Sequence, residues 1–100
     1  MRHYEMMVIL SDLLEEEDAT ALFDRIKSIL ADQGGELVDE SFWGKRKLTH
    51  EIHKRDHAWY GVLDFRATSE GVAELERQLK INDDVWRMKT VRPELRVHTA

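Results

Sequence analysis

Glu36-Leu37-Val38-Asp39-Glu40-Ser41-Phe42-Trp43-Gly44-Lys45-Arg46-Lys47-Leu48-Thr49-His50-Glu51-Ile52 reads as one long strand, with Leu37, Asp39 and Ser41 alternating against Val38, Glu40 and Phe42. Gly44, near its middle, marks a bulge, because a residue without a Cβ weakens regular pairing there. The segments on either side supply its neighbours. Upstream, residues 2–10 form a strand whose run Met6-Met7-Val8-Ile9-Leu10 is apolar on both alternating faces, the mark of a central strand. A helix follows, with Leu22, Phe23, Ile26, Ile29 and Leu30 on one stripe. Asp12, Glu15, Glu16, Glu17 and Asp18 crowd the end where the helix dipole favours negative charge, and Gly34-Gly35 ends the helix. Downstream, Lys54-Arg55-Asp56 supplies a polar turn into a third strand at 58–66, rich in Trp59, Tyr60, Val62, Leu63 and Phe65. Thr68 or Ser69 caps a second helix with Val72, Leu75 and Leu79 on its buried side. Asn82-Asp83-Asp84 turns the chain into a last strand, Val85 to Arg92, which Pro93 stops.

Strand, helix, strand, strand, helix, strand is the order of an α+β, ferredoxin-like split βαβ sandwich (βαββαβ). Right-handed crossovers then place both helices on one face of a four-stranded antiparallel sheet, with the first and third strands central. One hundred residues suit a single domain with one core, assigned to 1–93, and leave 94–100 as a flexible tail. Period-two alternation sends Met6, Val8, Leu10, Leu63, Phe65, Trp86 and Met88 under the helices. Met7, Ile9, Tyr60, Val62, Arg87, Lys89 and Val91 go to the opposite, helix-free face. An apolar patch bordered by Arg and Lys is what a combined protein and RNA interface requires: the apolar part must be covered, and the charged part can meet phosphates.

The net charge of -5 argues against a nucleic-acid partner only as an average, since residues 1–40 carry -8 and residues 41–100 carry +3. A chain polarised in this way can turn a basic face to RNA and an acidic one to solvent. The absence of Cys rules out a disulfide framework and a thiolate metal site and suits a reducing cytoplasm. The N-terminus shows no signal pattern, and the longest apolar run, Met6 to Leu10, is far short of the ~20 residues of a membrane helix.

Chemistry-bearing constellations are weak. His50, His53 and His57 are spaced so that residues of an extended segment point to different faces, so no metal site is expected. Glu15-Glu16-Glu17-Asp18 lacks the Gly and ligand spacing of a calcium loop. An acylphosphatase-like hydrolase shares the fold, yet the segment after the first strand, Ser11 to Glu17, has no Gly-rich cradle or Arg and repels phosphate. No catalytic residue and no cofactor or small-molecule substrate is assigned. Lys45-Arg46-Lys47 lies in an edge strand, where positive charge also guards against edge-to-edge pairing. Trp43 beside it suits a core position better than a base-stacking one.

Three blocks in order, Met1-Arg2-His3-Tyr4-Glu5, Trp43-Gly44-Lys45-Arg46-Lys47-Leu48 and Ile81-Asn82-Asp83-Asp84-Val85-Trp86-Arg87, resemble the signature segments of the bacterial small-subunit ribosomal protein S-six family, at that family's spacing, over Met1 to about Pro93. Thr49-His50, Trp86 and Ala58-Trp59-Tyr60 depart from its usual Ala-Tyr, aliphatic and Gly-aromatic-Tyr residues. The resemblance implies a structural, non-enzymatic constituent of the cytoplasmic ribosome that binds ribosomal RNA of the small-subunit platform as a heterodimer with ribosomal protein S-eighteen. It implies RNA proximity for Arg2, Lys45, Arg46, Lys47 and Arg87, to which the open-face pattern adds Lys89. The apolar open-face residues Met7, Ile9, Tyr60 and Val62 become the candidate partner contact. The runner-up is a free-standing RNA- or protein-binding module, but the third strand lacks the Arg-Gly-aromatic-Gly order of an RNA-recognition strand.

Overall fold

A computed structural model describes residues 1–92, and the expected stop at Pro93 and the tail 94–100 lie outside the described residues. The elements are β1 (Arg2–Ser11), α1 (Glu16–Asp32), β2 (Glu36–Ile52), β3 (Arg55–Ala67), α2 (Ser69–Lys80) and β4 (Val85–Val91). All strand pairs are antiparallel and the sheet order is β2-β3-β1-β4, so β1 and β3 are central, as their two-sided apolar character requires. The α+β ferredoxin-like sandwich is therefore the observed fold.

Helix ends are set by local chemistry. At the close of α1, Gly34 takes φ +77°, its N–H donates to the Ala31 carbonyl, and Gly35 N–H donates to that of Leu30. This is the paired Schellman bonding that a left-handed glycine permits. Thr68 caps α2, its hydroxyl accepting from Gly71 N–H at 3.0 Å. Between sheet and helices lies one core of Met6, Val8, Leu10, Phe23, Ile26, Leu30, Leu63, Phe65, Leu75 and Leu79 with their neighbours. Each such side chain contributes about 1.5–3 kcal/mol relative to exposure. Trp59 joins it with Nε1 donating to the Leu14 carbonyl at 3.0 Å, and Phe42 stacks on Trp59 at 5.9 Å. Lys27 of α1 reaches Glu40 of β2 at 2.5 Å and Asp24 at 2.9 Å, and these carboxylates raise its pKa.

Three features differ from the sequence expectations. The β2–β3 turn is His53-Lys54 rather than Lys54-Arg55-Asp56. Both turn residues have positive φ (52° and 63°), and Ile52 pairs with Arg55 across them. A two-residue hairpin turn needs that geometry, but the Asn-Gly or Asp-Gly dipeptide that announces it is missing. Strand β3 therefore begins three residues before its expected start at 58. Second, β2 is irregular at three places: between Leu37 and Asp39, between Phe42 and Gly44, and between Lys47 and Ile52. The middle one is the bulge expected at Gly44, whose φ is +83°. Third, β4 carries a bulge against β1, since Ile9 faces Arg87 but Leu10 faces Val85. The extra residue is Trp86, and it leaves the helix side.

Candidate functional site

The sheet registers fix the layout of the face opposite the helices. One cross-strand row runs Gly44, Tyr60, Ile9, Arg87; the next runs Ser41, Val62, Met7, Lys89; a third runs Asp39, Asp64, Glu5, Val91. Charge is therefore graded along the strands, from Arg87 at one end, through an apolar central row that Lys89 borders at the sheet edge, to Asp39, Asp64 and Glu5 at the other. His3 adds to the acidic end by hydrogen bonding to Asp64.

Met7, Ile9, Tyr60 and Val62 all lie on this face and all are half-buried, as alternation required. The face is less bare than expected. Beyond Lys47 the irregular end of β2 curls over it, so that Leu48, Ile52 and Ala58 form a second buried cluster with Ile9, Tyr60 and Trp86 packed against them. His53, at the hairpin tip, meets Trp86 edge-on at 5.4 Å. Placing Trp86 under the helices is thus corrected: the bulge adds one residue and reverses the alternation, so Trp86 braces the hairpin on the open side. Ile9 and Tyr60 are partly covered by the chain's own hairpin, while Met7 and Val62 remain at the centre of the open patch.

Trp43 is on the open side as well, because Phe42 before it faces the core and the bulge in β2 sets Trp43 and Gly44 together beside Tyr60. Instead of entering the core, Trp43 is 44% exposed and lies parallel to Tyr60, with 2° between the rings and 6.2 Å between centroids. Phe42, its neighbour in sequence, takes the core position.

The basic residues do not form one patch. Arg46 is in register with Ala58, on the open side, and its Nε donates to the Trp43 carbonyl at 3.2 Å. Lys45 faces the other way, with Nζ 5.1 Å from the centroid of the Trp59 ring and 3.4 Å from the Asp12 carbonyl. Lys47 alternates to that side too, opposite His57. Arg2, paired with Ala67, sits at the far end of β1. About 30 Å separates it from the Arg46 row, at ~3.3 Å per residue. Of the six candidate cations, the open face brings together Arg46, Arg87 and Lys89, and all three are exposed.

Other candidates resolve into structural roles. Asp12 accepts from Arg55 Nε at 3.0 Å, tying the segment after β1 to the β2–β3 hairpin. His57 Nδ1 lies 2.8 Å from Asp56 and this bond holds the Asp56 carboxyl below its ordinary pKa. His53 is engaged with Trp86, so the two histidines have different neighbours, and among the described residues no group of three or more His, Cys, Asp or Glu could hold a metal. No helix among the described residues is long and apolar enough to cross a membrane.

Residues 3–92 match the family model described as Ribosomal protein S6. A relative from Salinispora arenicola, named small ribosomal subunit protein bS6, is 45% identical over 96 residues, covering 96% of this chain and all of the relative. Its counterpart from Streptomyces coelicolor is 42% identical over 95 residues, covering 95% of this chain and 99% of the relative. Among solved structures, the 30S ribosomal protein S6 of Thermotoga maritima superposes with a TM-score of 0.87 at 30% identity, covering 91% of this chain and 86% of that one.

Proposed function

Because this chain belongs to the ribosomal protein S6 family, a family of small-ribosomal-subunit proteins, we propose that it is a structural, non-catalytic component of the small subunit in the cytoplasm that binds ribosomal RNA of the central domain together with ribosomal protein S-eighteen. The observation that carries the finer reading is the graded open face. Arg46 and Arg87 stand at one end, Met7 and Val62 at the centre with Lys89 at the edge of their row, and Glu5, Asp39 and Asp64 at the other end. A small basic protein finds apolar cover and carboxylates in the centre and acidic end, while RNA phosphates meet the cationic end. An acidic chain with few grouped cations binds RNA weakly alone, and a basic partner supplies the missing charge.

Arg2, Lys45 and Lys47 enter this reading as peripheral phosphate contacts, since they are exposed but alternate to the side away from the open face. The test is a titration of central-domain ribosomal RNA with the purified chain, with and without S-eighteen, at several salt concentrations. The pair should bind at least tenfold more tightly than the chain alone, with affinity falling steeply as salt rises. Equal binding with and without the partner would refute the joint-interface reading.

A further inference from the structure

The open face carries an aromatic pair, exposed Trp43 over half-buried Tyr60, whose role depends on the chain binding RNA as proposed. Trp43 is the largest exposed side chain of the described residues, 44% accessible, and its ring lies flat and parallel to Tyr60. Three local features hold it there. Phe42 faces the core, so alternation puts Trp43 on the open side, and the bulge sets Trp43 and Gly44 together beside Tyr60. Gly44, in register with Tyr60, has nothing within 4 Å of where a Cβ would stand, so no side chain crowds the pair from that position. Tyr60 itself is packed against Leu48, Ile52 and Ala58, which fixes the lower ring of the pair.

Arg46 is bonded to the Trp43 carbonyl and remains exposed. Arg87 ends the same cross-strand row about 14 Å away, at ~4.8 Å per strand. The carboxylates Asp39, Asp64 and Glu5 stand two rows off, and Glu51 lines the opposite wall of the cleft beside Arg87. A rigid π-surface flanked by guanidinium groups suits a nucleobase with its phosphate better than a cationic protein segment, which is drawn toward the acidic end.

We propose that Trp43, backed by Tyr60, is a stacking platform for one unpaired nucleobase of the bound RNA, with Arg46 holding the adjoining phosphate. A base inside a duplex has no free face to offer, so the site selects a bulged, looped or single-stranded nucleotide.

The test uses the full chain labelled with 5-fluorotryptophan, whose three tryptophans give three ¹⁹F signals, that of Trp43 being assigned by its loss in Trp43→Phe. The probes are a single-stranded adenosine decamer and a blunt RNA duplex with the same number of phosphates. The Trp43 signal should move with the single strand and stay with the duplex. Trp43→Leu should weaken single-strand binding roughly 5- to 150-fold, the span of one lost base stack, while leaving the salt slope unchanged. Trp43→Phe should recover most of that loss. An unmoved Trp43 signal and full affinity in Trp43→Leu, with salt-dependent RNA binding intact, would overturn the stacking site and leave the RNA reading standing. A Trp43 signal that moves with S-eighteen but with no RNA would also overturn it, by making the platform a protein contact. Absence of binding to any RNA, including the central domain with S-eighteen present, would overturn both.

Discussion

Gly61→Ala should destabilise this protein, although removing a glycine from a strand ordinarily stabilises it. Gly61 lies in β3 between Val8 and Phe42, on the helix side of the sheet. A Cβ built there stands 2.3 Å from Phe23 Cε1, 2.7 Å from Cδ1 and 3.1 Å from Cζ. The ring must therefore withdraw by more than an ångström, and it has little room. Phe23 is 3% exposed and tilts against Phe42 at 5.3 Å, which in turn stacks on Trp59. Overpacking of such a site costs about 1–3 kcal/mol. The reduced entropy of the unfolded chain returns about 0.4–1 kcal/mol. The net loss, at most about 2.6 and centred near about 1.3 kcal/mol, corresponds at its centre to a fall in Tm of roughly 5–10 °C for a domain of this size. Thermal denaturation followed by circular dichroism measures it. In a Phe23→Leu background the shorter side chain relieves the clash, so the same substitution should cost less, by about 0.5 kcal/mol or more. A Gly61→Ala protein as stable as the wild type, or an equal cost in both backgrounds, would refute the packing argument.

Replacing Arg46 by Ala should weaken RNA binding by the heterodimer and lower the log–log salt slope by about 0.7–0.9, whereas Lys45→Ala, whose ammonium is engaged over Trp59, should change the slope by less than about half of that; equal effects would contradict the facing of the two residues. Val62→Asp should abolish partner binding while the circular dichroism spectrum stays native, because it places a charge in the centre of the desolvated patch at a cost of several kcal/mol, on the order of a hundredfold or more in affinity; unchanged calorimetric titration with S-eighteen would show that the patch faces elsewhere. The Glu74 carboxyl should titrate at about 2 by NMR, held down first by the Arg77 guanidinium and then by Gln78, and Arg77→Met should return it toward the ordinary range near 4.5. Because the folded pKa is the lower one, this pair's support of α2 is present above the unfolded pKa near 4.5 and fades as pH falls toward about 2; an ordinary Glu74 midpoint in the wild type would contradict the pairing.

Much of this architecture is legible in the sequence because local periodicity and tertiary burial agree. Both faces of Met6–Leu10 are apolar and β1 is central; Leu22, Phe23, Ile26, Ile29 and Leu30 share one stripe and face the core. The failures occur where alternation is interrupted. Both tryptophans sit at bulges, but only at Trp86 does the inserted residue reverse the side that counting by twos assigns; Trp43 follows core-facing Phe42 onto the open side by plain alternation, and the preference of a tryptophan for the core is what misplaces it. Gly44 announced the first bulge. Nothing in Val85-Trp86-Arg87 announced the second, which depends on how β4 meets β1. The His53-Lys54 turn was hidden because neither residue favours positive φ, and the hairpin is held in place by long-range contacts with Trp86 and Tyr60.

The candidate site divides along the same line. Met7, Ile9, Tyr60, Val62, Arg87 and Lys89 fall on the expected face because they lie in regular stretches of β1, β3 and β4. The Lys45-Arg46-Lys47 run looks like a patch in sequence, but a strand splits consecutive residues between its two sides, and this one sends Arg46 to the open face and Lys45 to Trp59. Motif position alone could not show that Arg2 lies at the other end of the sheet.

Hydroxyl-radical footprinting on intact small-subunit ribosomal RNA reports where the RNA is covered as well as whether it is bound. With S-eighteen and this chain both present, protection should appear in the central domain and should weaken when Arg46 is replaced by Ala. Saturating amounts of both proteins that leave the central domain unprotected, or protect another domain instead, would contradict the proposed role.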